Sequence, residues 1–252
     1  MKISSLGLGS RSARLLLGLW KKLLKVLVGF GYGDSTALCG LESPTSSGSA
    51  YKKIVTVVSF SSVEVIVTLR MHRAPDSDHG LSFVAGGCPL LTIISLYRCK
   101  VTDIGLEILS QSCLTLKDVN VSFCSLISDH GIRALSQNCR HLMSVNISHC
   151  GNVNGVGFQG CSQTLAYLQA DSCKLEPEGI LAILSGGGLE YLNMSNLKSC
   201  IHGHGLATID VGYISKLRVL NFRLWTTIGD DAIGKNCTRV STARGMELEL
   251  LF

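Results

Sequence analysis

The sequence predicts an α/β solenoid, a horseshoe with a parallel sheet on its concave side and helices on its convex side. Three observations predict it. One nine-residue phrase recurs in register: Leu91-x-x-Ile94-x-Leu96-x-x-Cys99, Leu116-x-x-Val119-x-Val121-x-x-Cys124 and Leu142-x-x-Val145-x-Ile147-x-x-Cys150, then more loosely from Leu165 to Cys173, Leu189 to Leu197 and Leu217 to Trp225. Its leading Leu returns after 25, 26, 23, 24 and 28 residues, at positions 91, 116, 142, 165, 189 and 217. A period of this size marks stacked units, each too small to bury its own apolar face. Finally, the phrase is followed by a helix start, as in Thr102-Asp103-Ile104-Gly105-Leu106 and Ser128-Asp129-His130-Gly131-Ile132.

Each element can be justified in order. Residues 1–50 are unlike the rest. Leu15, Leu16, Leu19, Leu23, Val26, Leu27 and Phe30 fall at helical spacing, with Arg11, Arg14, Lys21, Lys22 and Lys25 among them. This reads as a basic amphipathic or poorly ordered leader, with organelle targeting by residues 1–30 as the lesser reading. No membrane span is expected, because Lys21, Lys22 and Lys25 interrupt every window of about 20 residues. Residues 43–49 have linker composition. Residues 54–69, rich in Val, Ile and Thr, predict the strand of a degenerate first repeat. The run Ser77-Asp78-His79-Gly80-Leu81 then predicts a helix over 78–85, ended by Gly86-Gly87. In the helices that follow, Thr102 and Ser128 are expected as N-caps. The acid after each is expected to favour the helix dipole, and Pro177 sits at a first helical position. The third repeat, residues 153–160, has room for little more than one helical turn. The expected domain is 51–237, with 238–252 a divergent tail in which no strand stays in register.

Composition narrows the function. The chain has 252 residues, 46% hydrophobic and 16% charged, which is too apolar for general disorder. Its net charge of +5 is concentrated before Asp34, so the repeats carry no basic face and nucleic acid is not an expected partner. Cys99, Cys124, Cys150 and Cys173 occupy one repeat slot, and Cys88, Cys113, Cys139, Cys161 and Cys237 another near helix ends. They read as small buried apolar groups of a reducing compartment, cytoplasm or nucleus. Zinc ligation needs closer spacings than these. The seven His residues are scattered; His202-x-His204 lacks a nearby third ligand, and the Gly-rich runs lack the Lys-Ser/Thr of a phosphate loop. No enzyme activity, metal or cofactor is expected.

A strand-end Cys followed by [Ser/Thr]-Asp-x-Gly-[Leu/Ile] resembles the cysteine-containing leucine-rich repeat of plant F-box/LRR-repeat proteins. The stretches Ser95–Cys99, Gly155–Phe158 and Asp171–Pro177 carry the resemblance most specifically, within a span from about Ser77 to Cys237. It implies a substrate-recognition subunit of an SCF-type ubiquitin ligase acting in proteasomal degradation, with a protein substrate on the repeats and a Skp-type adaptor and cullin as partners. An F-box opens with a Leu-Pro motif, and the chain has no Leu-Pro dipeptide. The alternative expectation is therefore an F-box-less leucine-rich-repeat scaffold or competitor. Strand alternation turns the residues between the core positions onto the concave face. There Tyr97, Asn120, Asn146, Tyr167, Gln169, Asp171, Tyr191, Asn193 and Arg223 are the candidate partner-binding residues, with Ser122 and Ser148 beside them.

Overall fold

The computed structural model describes residues 55–60, 65–74, 77–197, 216–221 and 249–251. The leader, the His202/His204 pair, Arg223 and Cys237 lie outside them. The described residues form one nine-stranded sheet whose strands follow in chain order: β1 (Val55–Phe60), β2 (Val65–His72), β3 (Leu91–Tyr97), β4 (Asp118–Asn120), β5 (Ser144–Asn146), β6 (Tyr167–Gln169), β7 (Tyr191–Asn193), β8 (Val219–Asn221) and β9 (Glu249–Leu251). All pairings from β2 to β9 are parallel. Helices α1 (Ser77–Gly87), α2 (Asp103–Ser112), α3 (Asp129–Asn138) and α4 (Pro177–Ser185) connect consecutive strands, and a 3₁₀ turn, Val156–Phe158, replaces the helix between β5 and β6. This is a leucine-rich-repeat solenoid.

The repeated apolar phrase explains the stacking. Leu69, Ile94, Val119, Val145, Leu168, Leu192 and Leu220 are paired in register across seven strands and form one row, none more than 5% exposed. A single row has no partner within its own repeat, so each strand is buried only by its neighbours and the helices behind. Leu106 and Leu109 of α2, Ile132 and Leu135 of α3, and Ile180 and Leu184 of α4 close the same core from the convex side.

Two expectations at the array ends are corrected. The segment read as one strand is two: β1 runs antiparallel to β2, and only β2 continues the parallel ladder. At the other end the sheet does not stop at 237. Glu249–Leu251 pairs in register with Val219–Asn221, with Leu250 opposite Leu220. Leu248-Glu249-Leu250 supplies the short alternation a parallel edge strand needs, and Leu250 follows Leu220 by 30 residues, but Glu247 holds the slot that Leu217 fills one repeat earlier, so the phrase lacks its leading Leu.

The helix starts hold more than local caps. Thr102 and Ser128 accept from the backbone N–H of Ile104 and His130, as N-caps should. The acid of the preceding helix reaches across to the same point. Thr102 N–H and Oγ1–H donate to Asp78 at 2.9 and 2.6 Å, and Ser128 N–H and Oγ–H donate to Asp103 at 2.8 and 2.6 Å. Asp129 accepts from the N–H groups of Asn154, Gly155 and Gly157 at 2.7, 2.9 and 2.9 Å, so the short third repeat is tied in the same way. The motif glycine makes room for this carboxylate: a Cβ on Gly131 would stand 2.6 Å from Asp103 Oδ1, and one on Gly105 would meet Asp78.

The buried thiols are also more than apolar filler. Cys124, Cys150 and Cys173 donate to the carbonyls of Leu96, Val121 and Ile147 one repeat earlier, at 3.0, 3.2 and 3.1 Å. Cys113, at a helix end, does the same to Cys88 at 3.3 Å. Burial pushes Cys113, Cys150 and Cys173 up to about 12 and Cys139 up to about 11, which keeps them protonated at neutral pH. Among the described residues no helix is long and apolar enough to cross a membrane.

Candidate protein-interaction face

Parallel register sorts the outward side chains of the sheet into columns. The first holds Ile93, Asp118, Ser144, Tyr167, Tyr191 and Val219. The second holds Arg70, Ser95, Asn120, Asn146, Gln169, Asn193 and Asn221. Further along each strand come His72 and Tyr97, then Ser122, Ser148, Asp171 and Ser195 at the strand ends.

The sheet brings two of the three candidate tyrosines together. Tyr167 and Tyr191 are opposite each other on β6 and β7, with ring centroids 6.2 Å apart and planes inclined by 28°. Tyr167 is 49% exposed, so the pair is an aromatic platform open on its outer side. Tyr97 lies elsewhere, at the strand end against His72, with centroids 4.6 Å apart. Asp118, in the platform's column, is half-buried. Burial raises its carboxyl above the usual range, and the nearby Arg70 opposes that shift.

The polar candidates are largely engaged by their own backbone. The Oδ1 atoms of Asn120, Asn146 and Asn193 accept from the N–H groups of Ser122, Ser148 and Ser195 at 2.9, 2.9 and 3.0 Å. These bonds end each strand and turn the chain toward the helix. Asn146 spends its amide donor on Gln169 at 2.7 Å. Asp171 accepts from Ser195 and Ser172 at 2.7 and 2.9 Å and stands 3.2 Å from His149 Nε2. Ser122, expected on the concave face, is buried, and its hydroxyl donates back to Asn120 Oδ1 at 2.7 Å.

A third set, the residue just before each Cys slot, is not among the candidates expected from strand alternation. Arg73, Arg98, Phe123, His149, Ser172 and Asn196 hold that place, all with φ between 51° and 63°. The left-handed turn lets each N–H bond the next repeat: Arg98 to Ser122 O, Phe123 to Ser148 O and His149 to Asp171 O, at 2.8–3.0 Å. Such a turn favours Asn or Gly, and β-branched or bulky residues there are outliers. The chain instead places large side chains at four of these positions, and three of them, Arg98, Phe123 and His149, pack together with Tyr97. Tyr97 meets Phe123 edge-on at 5.2 Å, Phe123 lies flat on His149 at 4.0 Å, and the Arg98 guanidinium stands 5.3 Å from the Tyr97 ring centroid and 4.6 Å from that of Phe123. The available signal was the run Arg98, Phe123, His149 in one slot.

The repeat is also recognisable by comparison with known protein families. The family model described as "Leucine Rich repeat" matches residues 112–136 and 138–159. The chain is 57% identical over 164 residues to F-box/LRR-repeat protein 12 of Arabidopsis thaliana, a match covering 64% of this chain and 42% of that protein. The chain thus spans about two-fifths of that relative's length. Among solved structures, the yeast Rad7–Elc1 complex overlays with a TM-score of 0.47 at 15% identity, covering 66% of this chain and 51% of that one. An internalin of Listeria monocytogenes overlays with a TM-score of 0.38 at 16% identity, covering 67% and 58%.

Proposed function

We infer that this leucine-rich-repeat chain, whose repeats match those of an F-box/LRR-repeat protein, is the substrate-recognition part of an SCF-type ubiquitin ligase. In this reading it holds a protein substrate on the concave side of the sheet, and a Skp-type adaptor and cullin bring the ubiquitin-transfer machinery. The observation that carries it is the 57% identity over 164 residues to a protein of that name. The open tyrosine platform supports the binding half of the reading. Concave solenoid faces present continuous surface across several repeats, and Tyr supplies large contact area at small entropic cost. Arg223, also assigned to this role, lies beyond the described residues.

The test is capture of protein partners from plant extract by the full chain and by the Tyr167→Ala/Tyr191→Ala variant. Loss of an aromatic anchor weakens binding by about 2 kcal/mol or more, while an exposed substitution changes stability within about 0.5 kcal/mol. A variant that is folded by circular dichroism and captures every partner as well as wild type removes the concave platform from the site. Blotting the same captures for the adaptor tests the other half. Adaptor retained with the chain supports ligase recruitment, and partner retained without adaptor assigns the chain to the scaffold or competitor role.

A further inference from the structure

The stacked cluster at the strand ends offers a second binding surface, and its charge says what it fits. Arg73, Arg98 and Lys100 are exposed, and the Arg98 guanidinium stands over the Tyr97 and Phe123 rings. Among the described residues no carboxylate pairs with the Arg98 guanidinium; its neighbours are the two rings. The cluster's one acid is Asp171, at its far end, where His149 and two serine hydroxyls already engage it. A guanidinium held by two aromatic rings keeps N–H donors for a planar anion.

We propose that this rim binds an acidic peptide segment, with an Asp or Glu carboxylate of the partner bridged by Arg98 and Arg73 and an adjacent apolar side chain laid against Tyr97 and Phe123. The site rests on the protein-binding role proposed above but uses different residues from the Tyr167–Tyr191 platform. A nucleic acid fits less well. Its backbone needs a continuing basic track, whereas after Arg98 the same slot holds Phe123 and His149, and His149 is engaged by Asp171 at 3.2 Å. The local backbone points the same way. At a left-handed turn where Asn serves the fold, Arg73, Arg98 and Phe123 act against local preference, and such departures concentrate where a site is built.

The experiment is fluorescence anisotropy with the full chain and a fluorescein-labelled peptide in which Asp and Glu alternate with Leu, Gly and Ser. Its controls are the same peptide with Asn and Gln in place of the acids, and a single-stranded oligouridylate. The acidic peptide is expected to bind, to weaken as salt rises, and to bind about tenfold more weakly to Arg98→Asn, since a hydrogen-bonded charge pair of this kind is lost. Asn is chosen because it tolerates the left-handed φ of 56°. Arg73→Asn, at φ 52°, carries the test should the first variant not fold. Equal binding of the acidic and amide peptides, no binding of either, preference for the oligouridylate, or unchanged affinity in the folded variants overturns the proposal. Such a result leaves the tyrosine platform standing if the Tyr167→Ala/Tyr191→Ala variant still loses its partners, so the two readings fail separately.

Discussion

A thiol in this array is placed by its repeat slot and protected by its neighbours. Cys150 is fully buried, donates to Val121 O at 3.2 Å and is pushed up to about 12 by burial, so it is neither exposed nor ionised near neutral pH. Reaction with an alkylating reagent needs the thiolate and access to it. Native protein at pH 7.5 should therefore leave Cys113, Cys124, Cys139, Cys150 and Cys173 unlabelled by iodoacetamide. Cys161, which is only partly buried, should be first to react among the described cysteines. Peptide mass spectrometry after a timed pulse reads this out, and fast labelling of Cys150 contradicts it. The same shift sets an alkaline limit. Cys113, Cys139, Cys150 and Cys173 ionise near 9.0 when unfolded and near 11 to 12 when folded, so the folded state retains protons that the unfolded chain has released. Their contribution is fully present below pH 9 and is lost as pH rises through the folded values, at about 1.4 kcal/mol per pH unit for each thiol. Urea midpoints should fall steeply between pH 9 and 11, and less steeply in Cys150→Ala.

Between repeats, the helix starts act as interlocking parts. Asp103 holds two donors of Ser128, and Gly131 leaves the space that the carboxylate occupies. Asp103→Ala removes the acceptor of the part-buried Ser128 N–H and should cost about 1–3 kcal/mol. Gly131→Ala should destabilise by displacing the same carboxylate. Because both act on one contact, the double variant should cost less than the sum of the single ones, which a thermal or urea double-mutant cycle measures. Additive losses contradict the interlock. The Ser-Asp-x-Gly phrase was plain in the sequence, and its Ser and Thr caps are where the pattern put them. The cross-repeat role of Asp and Gly was not legible, because a 25-residue period shows that two residues share a slot without showing that slot n touches slot n+1. The strand-end Asn residues were half legible for a similar reason. Alternation points their side chains outward, yet Oδ1 turns back to the backbone two residues on. The Tyr167–Tyr191 stack, by contrast, follows from equal slots on adjacent parallel strands, about 4.8 Å apart. The Arg98–Phe123–His149 stack escaped because left-handed turns leave no periodic apolar trace.

Among the described residues the molecule is a one-dimensional stack, in which strands and helices pair with those of the neighbouring repeats. Its interior was readable because the apolar row Leu69 to Leu220 repeats without a break, while its ends were not. An antiparallel β1 and a β9 whose phrase lacks the leading Leu depend on pairing rather than on pattern. This geometry predicts how damage spreads. Leu168 is fully buried at the middle of the row, between Val145 and Leu192. Leu168→Ala should cost about 2–5 kcal/mol through lost transfer energy and a cavity that rigid neighbours cannot close. In a globular core that loss would lower the protection of every slow amide alike. Here the coupling passes through nearest-neighbour contacts, so the weakened β5–β6 and β6–β7 junctions should open first. Hydrogen exchange in the variant should accelerate in β5, β6, β7 and α4. The amides of α1, β3 and α2 should stay close to wild-type rates, since their interlocks through Asp78 and Asp103 are untouched. Equal acceleration at both ends would mean that the array unfolds as one cooperative unit. In that case a partner bound at the tyrosine platform would stabilise the basic rim as well, and the two surfaces would be energetically linked through the sheet between them.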